Sequence, residues 1–121
     1  MKYLPIVLLL AASPAAAQSP ELEQACTAVA QNFLLTPTIT TGVVQSFPNL
    51  EPPGARMTYS TRADPQPTDF TNEIECQFAT ATPPLNLTRF CISSTCYSEN
   101  EQEPENRRRY LEVKALMDRQ N

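Results

Sequence analysis

The residues best able to do chemistry are four cysteines, Cys26, Cys76, Cys91 and Cys96, in a chain that has no histidine. Without histidine, neither a Ser-His-Asp nor a Cys-His nucleophile system of the familiar form can be assembled. Structural zinc takes four ligands from Cys and His at spacings such as C-x2-C, and Cys91-x4-Cys96 fits that loosely. A catalytic dithiol favours C-x-x-C at a helix N-terminus, where the dipole lowers the thiol pKa. Cys91 and Cys96 have another spacing and stand in a strand-like context. An even number of cysteines in a short exported chain reads instead as a disulfide framework. Four cysteines allow three pairings, and spacing does not choose among them. The pairing expected is Cys26–Cys76, tying the first helix to a central strand, with Cys91–Cys96 closing the tight loop Ile92-Ser93-Ser94-Thr95.

Other constellations are weaker. Glu73 and Glu75 share one face of a strand and could divide acid and base roles, as paired carboxylates do in glycoside hydrolysis. The plainer reading is a solvated, charged strand face. Glu51, Asp64 and Asp69 lie in loops but lack the dense D-x-D-x-D spacing of a calcium loop. Arg107, Arg108 and Arg109 form the most basic spot, a possible anion or partner patch. Against that stands a helix start whose arginines pair with Glu103, Glu105 and Glu112. Two glycines in the whole chain leave no material for a phosphate-cradling loop. Asn86-Leu87-Thr88 matches the N-glycosylation pattern, a short match that arises often by chance. No cofactor and no metal are expected.

The elements that must position these groups begin after a leader. Lys2, a short apolar run and Ala15-Ala16-Ala17 have the order of a secretory signal peptide, with cleavage expected before Gln18. The run is too short to span a bilayer, which takes roughly 20 residues, and no second apolar run follows. Residues 1–17 are therefore read as a leader and residues 18–121 as a single exported domain, periplasmic or secreted. Removing Lys2 from nine basic residues leaves eight against thirteen acidic ones, a net charge of −5. That sign disfavours nucleic acid and anionic lipid as partners.

A helix is expected over 20–35, with Ser19 as N-cap and Pro20 at the first turn. Its apolar stripe runs through Leu22, Ala25, Cys26, Val29, Ala30, Phe33 and Leu34. Four strand regions follow. Thr38–Phe47 is rich in β-branched residues. Arg56–Arg62 alternates, with Met57, Tyr59 and Thr61 on one side and Arg56, Thr58, Ser60 and Arg62 on the other. Phe70–Thr80 alternates most clearly, placing Ile74, Cys76 and Phe78 inward and Glu73, Glu75 and Gln77 outward. In Leu85–Tyr97 the apolar parity switches between Leu87 and Phe90, which a bulge near Thr88-Arg89 would reconcile. A last helix over 104–119 carries a stripe at Tyr110, Val113, Leu116 and Met117, widened by Leu111 and Ala115. Glu103–Arg107 and Glu105–Arg109 are spaced as i, i+4 pairs. The sum is an α+β domain: an N-terminal helix, an antiparallel sheet of about four strands and a C-terminal helix, stabilised by disulfides.

The layout resembles small uncharacterised exported proteins of proteobacteria. The shared features are an early helix bearing a cysteine, Met57-Thr58-Tyr59, Glu75-Cys76-Gln77-Phe78, and a closing amphipathic helix over Tyr110–Met117. That resemblance implies no activity, and no functional residues are carried over from it. The function expected is a non-enzymatic binding or interaction module of the cell envelope, with an envelope or extracellular protein or ligand as partner. The alternatives are a small exported enzyme using Glu73 and Glu75, or a thiol-disulfide redox protein using Cys91 and Cys96.

Overall fold

The computed structural model describes residues 18–120, so the expected leader lies outside the described residues. Helix α1 (Pro20–Leu34) precedes strands β1 (Thr40–Phe47), β2 (Gly54–Ser60), β3 (Asn72–Phe78), β4 (Leu87–Ile92) and β5 (Thr95–Tyr97), and helix α2 (Pro104–Gln120) closes the fold. Every neighbouring pair of strands is antiparallel, and the sheet order is β1-β2-β3-β4-β5. The sheet is thus an α+β meander with one strand more than the sequence pattern separates. The extra strand arises because Ser93 adopts a left-handed backbone (φ 55°). The chain reverses there, and Ile92 pairs with Thr95.

Helix α1 starts where its cap chemistry places it. The Ser19 hydroxyl accepts from the Leu22 N–H at 3.3 Å, satisfying one of the orphan donors of the first turn. Its other end closes on Leu35, left-handed at φ 54°, with its N–H on the Gln31 carbonyl. The closure therefore comes two residues before Pro37.

Both helices cover one face of the sheet, α1 over β1 to β3 and α2 over β4 and β5. The core is one cluster: Leu22, Cys26, Val29 and Ala30 meet Met57, Tyr59, Ile74, Cys76, Phe78 and Phe90, with Tyr110 and Val113 from α2. Cys26 and Cys76, neither exposed to solvent, are joined across this core with a Cα separation of 5.6 Å. Cys91 and Cys96 face each other in register and are joined at 4.0 Å on the open side of the hairpin. Both disulfides match the expected pairing.

The β4 parity switch is a bulge. Gln77 pairs with Arg89 and Phe78 with Leu87, leaving Thr88 as the extra residue. The Thr88 hydroxyl donates back to the Gln77 carbonyl at 3.1 Å. Three expectations need correction. Ser60, set on the open side by alternation, is buried and accepts from the Arg62 N–H. Leu111 and Ala115 do not widen the α2 stripe; both are exposed, because α2 meets the rest of the fold along a narrow line through Tyr110, Val113 and Met117. Among the described residues, Glu103–Arg107 and Glu105–Arg109 do not pair, since each arginine finds a different partner.

Candidate binding groove

The open face of the sheet carries the charged candidates. Gln45, Arg56, Glu75 and Cys91 stand in one cross-strand row. Glu73 lies two positions along β3 and contacts Arg56 at 3.8 Å, with both side chains about half exposed. The two carboxylates occupy separate shallow depressions, Glu73 beside Val43 and Gln45, Glu75 beside Phe47 and Pro52. They do not confront each other across one cleft. An acid-base pair needs a substrate held between its members, and this geometry supplies two solvated charges instead.

The three arginines are each engaged within the fold. Arg107 donates to the main-chain carbonyls of Glu101 and Gln102 at 2.7 and 3.0 Å, pinning the segment before α2. Arg108 bonds Glu105 and Glu112 at the surface. The hydrogen bond from Arg108 is the main reason the Glu105 carboxyl sits below its ordinary pKa. Arg109 stacks on the Phe33 ring, 4.1 Å from its centroid, and donates to the Phe33 carbonyl. It caps an aromatic cluster in which Phe33, Phe90 and Tyr97 lie with ring centroids 4.9 to 5.5 Å apart. All three arginines thus have intramolecular partners, and Arg108 and Arg109 share one of them, the Glu112 carboxylate.

The Cys91–Cys96 bond is half-buried beside a shallow hollow lined by Arg89, Glu101 and Asn106. Arg89 contacts Glu101 at 3.1 Å there. No group of three or more His, Cys, Asp or Glu able to hold a metal occurs among the described residues.

A more enclosed concavity lies elsewhere. A groove of about 350 Å³ runs between α1, α2 and the Pro83–Leu87 segment. Ala25 and Ala28 form its α1 wall, Met117 its α2 wall, and Leu85 and Leu87 the third side, with Phe78 among the lining residues. Small side chains on α1 leave the space open. The third wall is shaped by Asn86, whose backbone is left-handed at φ 56°, and by main-chain bonds from the Ala79 and Thr80 N–H groups to the Leu85 carbonyl. Glu21 and Asp118 add carboxylates to the lining. The Asp118 carboxylate is 61% exposed and contacts Lys114 only at 3.9 Å, so most of its charge faces solvent.

Sequence reasoning missed this groove. Its walls come from three separate segments, and none of its residues forms a motif. The one available signal was the pair of alanines, Ala25 and Ala28, at positions where a packed helix would carry larger side chains. Comparison with family models, with curated proteins and with solved structures finds no match to this chain.

Proposed function

We propose that the chain is a non-enzymatic, exported binding module, and that the groove between α1, α2 and the Pro83–Leu87 segment is where its partner docks. The supporting observation is a groove with apolar walls of Ala25, Ala28, Leu85 and Met117, lined also by the carboxylates of Glu21 and Asp118. Pockets of this kind take their affinity from buried apolar surface and their orientation from a few polar groups. The occupant that fits is a peptide segment presenting apolar side chains beside Lys or Arg. Charge complementarity argues for that choice, since this surface has carboxylates in the groove and the mature chain carries a net charge of −5. Export is supported by the Lys2–Ala17 leader pattern and by two disulfides, which persist in oxidising compartments.

The probe is a synthetic peptide of alternating Leu and Lys, compared with its Leu and Glu counterpart. The Leu/Lys peptide is expected to bind saturably, more weakly at high salt, and to lose binding to Ala28→Trp, which fills the groove. The Leu/Glu peptide is expected not to bind. Circular dichroism confirms that the variant is folded. Equal binding of the Leu/Lys peptide to wild type and Ala28→Trp, or no binding at all, would overturn this assignment.

A further inference from the structure

Gln18, Ser46 and Glu23 form a polar contact where the start of α1 meets β1. The Ser46 hydroxyl is almost fully buried. It accepts from the Ser19 N–H at 2.6 Å. Its single proton has two acceptors, Oε2 of Glu23 at 2.8 Å and the side-chain amide oxygen of Gln18 at 3.2 Å. The Gln18 amide oxygen and the next peptide N–H therefore converge on one hydroxyl.

That arrangement acquires a chemical meaning if the leader is cleaved before Gln18, and the inference rests on that export reading. Cleavage turns Gln18 into an N-terminal glutamine with a free α-amine. We propose that this residue then closes to a five-membered lactam, pyroglutamate, and that Ser46 assists the closure. The neutral α-amine attacks Cδ of its own side-chain amide, forming an N–Cδ bond and placing negative charge on Oε1. The Ser46 O–H lies within reach of Oε1 at 3.2 Å, and as charge grows there it turns from Glu23 to stabilise it as an oxyanion donor does. Collapse breaks the Cδ–Nε2 bond. The departing nitrogen takes one proton from the former amine and leaves as ammonia, so the reaction needs no co-reactant. The lactam keeps Oε1 as an acceptor for Ser46, and the contact survives in the product.

The product also suits its position. Gln18 lies immediately before the N-cap of α1, at the positive end of the helix dipole, where a cation is disfavoured. An α-ammonium there would be the first positive group in the mature chain, since the next is Arg56. Cyclisation removes it.

The full chain, leader included, is expressed in a Gram-negative host, recovered from the periplasm without reductant, and weighed intact. The expected product begins at residue 18 and is lighter by one ammonia than the unmodified oxidised chain. Isoelectric focusing should show the corresponding acidic shift. A chain beginning at Gln18 with a free amine, stable on incubation at neutral pH, would overturn the proposal and leave the export reading intact. A retained leader, or a different first residue, would overturn both. The role of Ser46 is read from the rate of conversion of freshly isolated chain. Ser46→Ala should slow closure about tenfold, the equivalent of one ordinary hydrogen bond. Wild type unfolded in urea should slow likewise, which keeps the test decisive if the variant folds poorly. Equal rates in folded and unfolded chain would remove Ser46 from the reaction.

Discussion

The Tyr110 hydroxyl donates to the main-chain carbonyl of Leu87 at 2.6 Å, joining α2 to the strand at its bulge. Tyr110 is 3% exposed and Leu87 is 4% exposed, so water does not replace the bond if it is lost. Tyr110→Phe keeps the ring and removes only the donor. It is expected to destabilise the fold by about 1–3 kcal/mol, the cost of leaving a buried carbonyl unpaired. Urea denaturation of the two proteins measures this as a shift in midpoint at constant slope.

The same tyrosine makes the fold sensitive to alkali. Burial raises the pKa of Tyr110, with smaller contributions from Glu99 and Asp118, and burial raises that of Tyr59. The folded chain thus holds these phenolic protons to higher pH than the unfolded chain does. The associated stability is whole below the ordinary tyrosine value of about 10. It falls as pH climbs through the raised folded values. Melting temperature should therefore drop as pH rises above that range, and the drop should be shallower in Tyr110→Phe. A parallel decline in both proteins would assign the alkaline loss elsewhere.

The two disulfides should contribute unequally. Cys26–Cys76 spans 50 positions and Cys91–Cys96 spans 5. The chain-entropy account gives about 4 kcal/mol for the first and about 2 kcal/mol for the second. Replacing the pairs by alanine, one pair at a time, and measuring unfolding midpoints checks the order. Access should differ in the same sense. Cys91 and Cys96 are half-buried while Cys26 and Cys76 are not exposed at all. Mild reductant on the native protein, followed by alkylation and mass mapping, should label Cys91 and Cys96 first.

The parts legible in the sequence are those set by local chemistry. Ser19 and Pro20 announce the start of α1, and alternation from Ile74 to Phe78 places Cys76 in the core beside Cys26. The parity switch between Leu87 and Phe90 marks the bulge at Thr88. The illegible parts depend on which elements meet. Leu111 and Ala115 extend an apolar stripe that α2 has no surface to bury. Arg107 has Glu103 at helical spacing yet turns to the main-chain carbonyls of Glu101 and Gln102, and Arg109 adds to its Glu112 contact an aromatic ring that only the tertiary fold brings near. The groove is hidden for the same reason, since Ala28, Leu85 and Met117 become neighbours only after folding.

The arginine run should divide by partner. Arg109 combines a ring contact with a carbonyl hydrogen bond in a side chain that is 34% exposed. Arg109→Ala is expected to destabilise by about 1–2 kcal/mol. Arg109→Lys should recover only part of this, because an ammonium cannot stack flat on Phe33 while reaching its carbonyl. Arg108 pairs with Glu105 and Glu112 in open solvent, and Arg108→Ala should leave the midpoint almost unchanged. Equal losses for Arg108→Ala and Arg109→Ala in urea titrations would show that the Phe33 contact adds nothing.

The two glycines of the chain differ in what surrounds them, and the difference predicts an order. A Cβ at Gly42 would lie 2.5 Å from the Thr58 hydroxyl and 3.0 Å from the Phe70 ring. Both are side chains, and Phe70 sits in a loop that can give way. Thr58 would have to surrender the bond its hydroxyl accepts from the Val43 N–H at 2.9 Å. A Cβ at Gly54 would lie 2.3 Å from the main-chain oxygen of Cys76. That atom belongs to the central strand, and the strand is tied to α1 by a buried disulfide. Relief there requires β2 and β3 to part. Gly42→Ala is therefore expected to destabilise by about 1–3 kcal/mol, the usual range for overpacking, and Gly54→Ala by more. Urea midpoints of the two single variants measure the order directly. If Gly54→Ala proves the milder change, β2 and β3 can separate at this point with Cys26–Cys76 still closed.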